Sequence, residues 1–389
     1  MNLLMLGVGD SGLENPASEP VRRHLEYARR MGGHIDLIVD TPRRGLTDYG
    51  AMTVHRTGAR RGRYLWAAYG MAREAARQRP PDLIVTQDPF ATALTGFWLR
   101  RALRRPLLIQ NHSCFLFNRY WIAERPLTFR ALHLLARSLL PRADAWRVVN
   151  TAERKIYIDR LKLPADRVRV LPVPCDLEEF EQKRLSDAES KARNRLSFPA
   201  GTPVILWAGR PVRFKRLPIL FTAFSEIRRV FPRARLVVAG RKDLAQEDLD
   251  RAARDAQVGE SLVWMGELTH TDLAGICAAA DVFLYPSIYE GFGRVMVEAG
   301  AAGLPVVATA TAGATDIIRD GKTGYLAPIE DAPALAARAR ELLADPERRA
   351  TMGAAARKWI RDQFDPGRSY DAVVSQWREV AAMGLIGKL

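Results

Sequence analysis

The sequence predicts an α/β fold made of two domains, each built on a parallel β-sheet. Short apolar runs typical of buried strands alternate with longer amphipathic segments typical of helices, which is the pattern of a parallel sheet covered by helices. The chain of 389 residues exceeds the length at which a single hydrophobic core usually stops growing. A polar, charged stretch at residues 181–199 separates two such alternating series. We therefore predict Rossmann-like domains at residues 1–190 and 191–367.

Composition and charge restrict the functional class. Hydrophobic residues make up 48% and charged residues 26% of the chain, as in soluble globular proteins. The formal net charge is +15, and residues 51–150 alone hold 17 basic and 5 acidic residues, a net of +12. A surface with this excess of basic residues attracts nucleic acids, anionic membranes or phosphorylated substrates. The sequence has neither zinc-finger spacing nor an aromatic-rich RNA-binding signature, so we expect no nucleic-acid partner.

The sequence also bears on cellular location. No apolar run approaches the ~18 residues of a membrane-spanning helix, and the start of the chain lacks the cationic segment of a signal peptide. Cys114, Cys175 and Cys277 are far apart in the sequence, which favours neither a disulfide framework nor a zinc site. We expect a cytoplasmic protein, with peripheral attachment to the inner face of the plasma membrane as a candidate arrangement.

The first predicted strand runs into the glycine sequence Gly7-Val8-Gly9-Asp10-Ser11-Gly12. This G-x-G-x-x-G pattern is the dinucleotide-binding fingerprint and raises the alternative of an NAD-dependent oxidoreductase. The fingerprint requires a helix that opens on the glycines, whereas Pro16 and Pro20 interrupt the segment and the helix is predicted from about Val21. We therefore assign Gly9 and Asp10 to an acceptor or phosphate contact and keep the oxidoreductase as a remote alternative.

Strands and helices continue to alternate through the first domain. The strands are predicted at residues 3–6, 35–39, 82–86 and 107–110, and the helices at residues 21–31, 64–78, 91–103 and 127–140. Ligands bind at the carboxyl edge of a parallel sheet. His112 closely follows one of these strands and so lies where a ligand would bind, although a structural histidine would explain the same position.

The basic segment at residues 91–142 includes an amphipathic helix. In the predicted helix at residues 127–140, Arg130, His133 and Arg137 share one face. A basic amphipathic helix with aromatic residues near it in the sequence can lie on an anionic membrane. A surface helix with its apolar face in the core explains the same pattern. An anionic membrane surface is therefore a candidate partner.

The second domain begins with a predicted strand at residues 204–208. Arg210 and Lys215 follow this strand. Two cations at the carboxyl end of a strand suit a diphosphate, because they neutralise its charge. Ordinary surface cations would explain either residue alone.

The most informative stretch lies at residues 282–302. An apolar run predicts a buried strand, a turn rich in proline and glycine follows, and residues 295–302 predict a helix. The start of a helix presents unpaired N–H groups and the positive end of the helix dipole, which suits an anion. Gly291 and Gly293 lack the Cβ atoms that would keep a ligand away from this backbone.

Two acidic residues flank this loop. Glu290 precedes the predicted helix and Glu298 lies on it. A carboxylate accepts hydrogen bonds from hydroxyl groups, so one acid can hold a sugar ring and the other a ribose, with a diphosphate between them on the loop amides. The whole loop therefore predicts a nucleotide-diphosphate sugar as the ligand, whereas either acid alone is explained as an ordinary helix glutamate.

The segment from Glu290 to Glu298, with Gly291-Phe292-Gly293 inside it and Gly303-Leu304-Pro305-Val306-Val307-Ala308 behind it, resembles the retaining glycosyltransferases of the GT-B fold, family 4. The resemblance is strong over residues 201–330 and looser before them. It implies two Rossmann-like domains that face a central cleft. It also implies that the last helix, at residues 368–389, packs back on the first domain.

The resemblance further implies roles for individual residues. Arg210 and Lys215 match a Gly-Arg and a following Lys that bind the diphosphate, and Arg216 departs from the glycine that often comes next. The segment around Met265 would contact the nucleobase, and His112 the transferred sugar. The catalytic set would be Glu290, His112, Arg210 and Lys215, and the donor-binding set would be Arg210, Lys215, Met265, Glu290, Gly291, Phe292, Gly293, Arg294 and Glu298.

We therefore predict a retaining, metal-independent glycosyltransferase. It would move a hexose-type sugar from a UDP- or GDP-linked donor to a lipid-linked or cell-envelope glycan or a polysaccharide. The resembled family needs no protein nucleophile, and no Asp-x-Asp metal motif lies at a predicted strand end, so we expect neither a cofactor nor a metal. The alternatives are a soluble metabolite or glucan glycosyltransferase without a lipid acceptor and, more remotely, the oxidoreductase.

Overall fold

The computed structural model describes residues 1–9, 12–59, 63–183, 198–199, 201–241 and 246–384. The chain forms two compact units. The first unit comprises Met1–Pro174 and Gly367–Leu389, and the second comprises Cys175–Pro366. Each unit is built on one mainly parallel sheet, which confirms the predicted fold class of two Rossmann-like domains.

The first unit has a sheet of eight strands within the described residues. They are β1 (Asn2–Val8), β2 (His34–Asp40), β3 (Arg44–Asp48), β4 (Met52–Thr57), β5 (Leu83–Thr86), β6 (Leu107–Asn111), β7 (Ala145–Val148) and β8 (Val168–Val170). Their spatial order is β3-β4-β2-β1-β5-β6-β7-β8. All neighbouring strands are parallel except β3 and β4. The order of strands therefore reverses between β1 and β5.

The first part of the chain, before Pro174, also forms α-helices, and the first of them begins well after the glycines that follow β1. The described helices are α1 (Glu19–Met31), α2 (Tyr64–Gln78), α3 (Ala91–Leu103), α4 (Arg119–Glu124), α5 (Pro126–Leu139) and α6 (Thr151–Asp159). Ser18 is the N-cap of α1 and accepts a hydrogen bond from the N–H of Val21. Helix α1 therefore begins after Ser18 and not on the glycines, so Gly7–Gly12 lacks the context of a dinucleotide fingerprint.

The second unit has a parallel sheet of six strands among its described residues. They are β9 (Val204–Ala208), β10 (Arg235–Ala239), β11 (Leu262–Gly266), β12 (Val282–Tyr285), β13 (Val306–Thr309) and β14 (Gly324–Ala327). Their order is β11-β10-β9-β12-β13-β14. The described helices are α7 (Glu178–Lys183), α8 (Leu217–Val230), α9 (Gln246–Asp255), α10 (His270–Ala279), α11 (Arg294–Ala301), α12 (Ala312–Ile317), α13 (Ala332–Ala344) and α14 (Pro346–Gln363).

The last helix, α15 (Pro366–Met383), packs in the core of the first unit. Val373, Trp377 and Val380 are buried there in one cluster with residues of β1 and β2. The Gln376 Nε2 atom donates a hydrogen bond to the backbone carbonyl of Trp146 at 3.0 Å. Helix α15 overlaps the segment at residues 368–389, which the sequence resemblance assigned to the first domain.

The boundary between the units lies earlier than the predicted boundary at residue 190. The chain passes to the second unit between Pro174 and Cys175, because α7 packs on α10 there. The Phe180 side chain of α7 is buried, with its ring edge-on to His270 at a centroid distance of 4.7 Å. Part of the predicted linker is therefore helical, and its residues 184–197 lie outside the described residues.

One face of the first sheet carries a buried carboxyl group. Glu153 of α6 is buried, and its Oε1 atom accepts a hydrogen bond from Asn111 Nδ2 at 2.7 Å. The same amide nitrogen contacts the hydroxyl of Tyr157 at 3.3 Å. Within the described chain, Glu153 Oε2 has no hydrogen-bond partner. Burial raises the pKa of Glu153 to about 8, so its protonated form is favoured at pH 7.

The pH dependence of stability should report on Glu153. The pKa of Glu153 is higher in the folded chain than in the unfolded chain. The contribution of Glu153 to the stability of the fold is therefore complete below the ordinary pKa of 4.5 and is lost as the pH rises to about 8. Glu153→Gln keeps an acceptor for Asn111 and cannot ionise. In urea denaturation, the free energy of unfolding of this variant should fall less steeply with rising pH than that of the wild type. We expect the two slopes to differ by at most about 1.4 kcal/mol per pH unit. Glu74→Gln, at an exposed position of α2, is the control, and a wild-type pH profile for Glu153→Gln would contradict the assignment.

Candidate active site

The order of strands in the second sheet reverses between β9 and β12. The chain winds to β10 and β11 on one side and to β13 and β14 on the other. Ligands of such sheets bind outside the carboxyl ends of the strands at the point of reversal. The loop at residues 209–216 follows β9, and the loop at residues 286–293 follows β12. Most of the predicted donor-site residues lie on these two loops or directly after them.

The two loops are joined to each other by backbone and ring contacts. The N–H of Ile288 donates to the carbonyl of Phe214 at 2.9 Å, and the Phe214 ring stacks on the Tyr289 ring at a centroid distance of 4.6 Å. Arg216 ends the first loop in the left-handed conformation, with φ of 53°, and forms an ion pair with Glu330. Glycine adopts this conformation without strain, which explains its frequent use at this position in the resembled family.

Lys215 and Glu290 meet between the two loops. The Lys215 ammonium donates hydrogen bonds to Glu290 Oε2 and to the hydroxyl of Tyr285. The Tyr285 hydroxyl donates to the same carboxylate oxygen at 2.9 Å. The side chains of Lys215 and Glu290 are only 12% and 15% exposed. Because water screens this pair less than a surface pair, its electrostatic interaction is stronger.

Close backbone packing fixes the glycine loop before α11. Gly293 has a φ of +90°, and a Cβ atom there would lie 2.2 Å from the Met296 side chain. The N–H of Gly313 donates to the carbonyl of Glu290 at 2.9 Å. A Cβ atom on Gly313 would lie 2.4 Å from the carbonyl oxygen of Phe292. Both positions therefore need glycine, and they hold the loop amides at the start of a helix, where anions bind favourably.

Glu298 lies in the second turn of α11, where its side chain is buried. Its Oε1 atom lies 3.5 Å from Nε2 of His270 and 3.6 Å from Nη2 of Arg294. The interaction with Glu298 raises the pKa of His270 above its usual value, since the carboxylate stabilises the imidazolium. No sequence pattern singled out His270, because only the fold brings the start of α10 beside α11.

The other predicted donor residues are distributed around these loops. Arg210 is exposed shortly after β9, whereas Gly291 and Phe292 are buried in the second loop. Met265 is half-buried in β11, which is the edge strand and lies two positions from β9 in the sheet. The structure therefore brings Lys215 and Glu290 into direct contact and places Met265 at the edge of the sheet.

Gly9 and His112, the predicted residues of the first unit that the structure describes, lie at the carboxyl edge of its sheet. Gly9 is exposed directly after β1, and Asp10 lies outside the described residues. His112 follows β6, and its Nε2 atom lies 2.7 Å from Oε1 of Gln87. Burial, together with the charge of Arg147, lowers the pKa of His112 well below its usual value. The ring is therefore neutral at pH 7 and donates its Nε2 hydrogen to Gln87, another residue that no sequence pattern indicated.

Comparisons with known proteins cover both halves of the chain. The family model described as Glycosyltransferase Family 4 matches residues 21–179, and that described as Glycosyl transferases group 1 matches residues 188–359. A GDP-mannose-dependent α-(1-6)-phosphatidylinositol monomannoside mannosyltransferase from Mycolicibacterium smegmatis is 32% identical over 290 residues, which is 70% of this chain and 70% of the relative. The chain belongs to glycosyltransferase family 4.

Other comparisons place this glycosyltransferase among proteins of the same fold. It is 26% identical to an α-monoglucosyldiacylglycerol synthase from Streptococcus pneumoniae over 266 residues, which is 68% of this chain but only 60% of that protein. The solved structure of sucrose-phosphate synthase from Thermosynechococcus elongatus matches 98% of this chain and 100% of its own, with a TM-score of 0.82 and 24% identity. At this identity the structural likeness shows the GT-B fold alone.

Replacing Gly313 with alanine should destabilise the glycosyltransferase. The added Cβ would press against the carbonyl of Phe292, and overpacking of this kind typically costs ~1–3 kcal/mol. Chemical denaturation measures the loss. Gly275→Ala is a matched control, because Gly275 lies in α10 with no atom within 4 Å of the added Cβ, and alanine there should stabilise the helix slightly. Equal stability of the two variants would show that the contact does not hold the loop.

Proposed function

We propose that this glycosyltransferase moves a hexose-type sugar from a UDP- or GDP-linked donor to a lipid-linked glycan acceptor, with retention of configuration and without a metal ion. The observation that carries the proposal is the contact between Lys215 and Glu290 where the strand order of the second sheet reverses. This contact pairs a cation suited to the departing diphosphate with a carboxylate suited to the sugar hydroxyl groups.

The departing diphosphate needs positive charge and hydrogen-bond donors. Lys215 supplies an ammonium group, and Arg210 supplies an exposed guanidinium group beyond β9. The amides of Phe292, Gly293 and Arg294 supply backbone donors at the start of α11, where the helix dipole favours an anion. Such preorganised groups stabilise the negative charge that develops on the leaving oxygen.

The two carboxylates would hold the two rings of the donor. Glu290 accepts hydrogen bonds from hydroxyl groups of the transferred sugar, and Glu298 accepts them from the ribose. Glu298 suits this role because its Oε1 atom lies beside His270 and Arg294, which hold the carboxylate in place. The backbone around Met265 would border the nucleobase, and the missing side chain of Gly291 lets the ligand approach the loop.

In this proposal the reaction needs no protein nucleophile. The acceptor hydroxyl attacks the anomeric carbon on the face from which the diphosphate departs, so one carbon–oxygen bond forms as another breaks. The departing phosphate oxygen takes the proton of the acceptor hydroxyl, which balances atoms and charge. The neutral ring of His112 can exchange hydrogen bonds with a hydroxyl group, and we assign it a contact with the transferred sugar.

Metal independence rests on the cations of the second unit. Arg210, Lys215 and the loop amides provide positive charge of the kind that a divalent ion supplies to a leaving phosphate in metal-dependent enzymes. Among the described residues, no group of three or more histidine, cysteine, aspartate or glutamate side chains could hold a metal ion. The absence of a metal requirement stays a prediction.

The acceptor class is inferred from the relatives. One is a phosphatidylinositol monomannoside mannosyltransferase and another is an α-monoglucosyldiacylglycerol synthase, and both names describe glycosylation of lipids. These names favour a lipid-linked acceptor for this chain as well. Transfer to a soluble metabolite or a glucan is the alternative, and an assay with lipid and water-soluble acceptors separates the two.

Exposed apolar side chains on the first unit support a lipid acceptor. Leu127 and Leu134 on α5 are 86% and 61% exposed, and Trp66 on α2 is 69% exposed. The Trp66 ring stacks on that of Trp98 in α3, and Arg130 lies between the two leucines on α5. Exposed apolar side chains among arginines suit the surface of an anionic membrane. In the part of the chain that the structure describes, no helix has both the length and the apolar composition to cross a bilayer.

A screen of nucleotide sugars tests the proposed function. UDP- or GDP-linked hexoses should raise the melting temperature, because a ligand that binds only the native state stabilises it. Lys215→Ala should lose most of this rise. Lys358→Ala, at an exposed ion pair on α14, should keep it, and EDTA should leave it unchanged. Absence of any shift in the wild-type protein, or a shift and a turnover that appear only with added Mn²⁺, would contradict the proposal.

Flotation with phosphatidylglycerol-containing vesicles tests the membrane surface. The wild-type protein should bind at low salt and dissociate at high salt, because salt screens the attraction of arginines to anionic lipid. Leu127→Ser combined with Leu134→Ser should weaken binding several-fold. Val230→Ser is the control, since Val230 is an exposed apolar residue of the second unit. Equal binding of the leucine variant and the control would exclude this surface.

A further inference from the structure

The proposed donor chemistry leaves Tyr285 without a role. Tyr285 is the last residue of β12, and its side chain is buried. Its hydroxyl nevertheless donates to Glu290 Oε2 at 2.9 Å and accepts a hydrogen bond from Lys215. A buried hydroxyl in direct contact with both charged groups can set their positions.

The tyrosine ring is fixed by its neighbours. It stacks with the rings of Phe283 and Trp207, at centroid distances of 5.8 Å and 6.5 Å, and the Lys215 ammonium lies 4.7 Å from its centroid. Core side chains packed in this way change rotamer at a cost. The hydroxyl of Tyr285 therefore keeps its position, whereas the flexible stem of Lys215 can turn.

Two anionic groups compete for the Lys215 ammonium group, the Glu290 carboxylate and the diphosphate of the donor. In the structure its ammonium group bonds to Glu290 and Tyr285, and the proposed function requires it at the diphosphate. A diphosphate carries more negative charge than one carboxylate, so the ammonium turns toward it when the donor binds. Glu290 then loses a charged hydrogen-bond donor at the moment when it must orient the sugar.

We propose that Tyr285 is a positioning residue that keeps the Glu290 carboxylate oriented toward the transferred sugar after Lys215 has turned to the diphosphate. This inference rests on the proposed function. Burial and the neighbouring Glu290 raise the pKa of Tyr285 well above its usual value, so the hydroxyl keeps its proton and remains a donor at physiological pH. Tyr285 acts through Glu290, so it affects recognition of the sugar and not of the nucleotide.

Calorimetric titration separates the two effects. Each variant is titrated with the free nucleoside diphosphate and with the corresponding nucleotide sugar selected by the donor screen. The dissociation constant of the free nucleoside diphosphate divided by that of the nucleotide sugar measures what the sugar adds to affinity. In the wild-type protein the nucleotide sugar should bind more tightly. Tyr285→Phe should reduce this ratio about tenfold, while the dissociation constant of the free nucleoside diphosphate stays within about twofold.

A double-mutant cycle tests whether Tyr285 acts through Glu290. Glu290→Gln alone should also reduce the sugar contribution, and the combination with Tyr285→Phe should lose little more, because the two residues form one unit. Tyr325→Phe is the control, since it removes a hydroxyl from a buried ring on β14 of the same unit, and it should bind both ligands as the wild type does. Melting temperatures of all variants show whether each is folded.

The outcomes distinguish this inference from the proposed function. If the wild-type protein binds no nucleoside diphosphate, the proposed function fails and the inference fails with it. If the wild type binds both ligands and Tyr285→Phe keeps the full sugar contribution, the inference is overturned and the proposed function stands. Additive losses in the double variant would also overturn the inference. Should Tyr285→Phe fail to fold, a Glu290→Gln variant with the full wild-type sugar contribution would overturn it independently.

Discussion

The contact between Lys215 and Glu290 is the constraint on which the second unit depends. The two residues are far apart in the sequence, and they meet because β9 and β12 are neighbouring parallel strands whose carboxyl ends lie at one edge of the sheet. In the structure, the carboxylate compensates the charge of the half-buried ammonium. A bound diphosphate would replace the carboxylate as the partner of Lys215 and leave Glu290 to the sugar. One ion pair can thus stabilise the site and, in the proposed function, supply two groups for binding.

The backbone around this pair holds the groups in place. Gly313 donates to the carbonyl of Glu290 and packs against the carbonyl of Phe292, and the ring contact between Phe214 and Tyr289 joins the two loops. Catalysis by electrostatic stabilisation requires such preorganisation, because groups that must first reorganise lose much of their effect. Trp66, Leu127 and Leu134 are exposed apolar residues of the first unit. In the proposed function, variation of loops and helices there would change the acceptor without changing the donor site.

Features that depend on residues close together in the sequence could be predicted. The strand, glycine loop and helix around Gly293 were predictable because an apolar run and two glycines mark them locally. The contacts of Glu298 with His270 and of His112 with Gln87 were not, since only the fold brings these residues together. The sequence did not indicate that the chain enters the second unit at Cys175, because polar composition reports on solvent exposure along a segment and not on the burial of Phe180 in α7. The antiparallel strand β3 was missed because it is an exposed edge strand without alternating apolar residues.

A crystal structure of the protein with bound UDP or GDP tests the central claim most directly. The account predicts the diphosphate within about 3 Å of the Lys215 ammonium and of the amides at the start of α11, with the ribose on Glu298 and with Tyr285 still bonded to Glu290. A nucleotide bound at the glycines after β1, or a diphosphate that leaves the ion pair of Lys215 and Glu290 intact and makes no contact with it, would contradict the account.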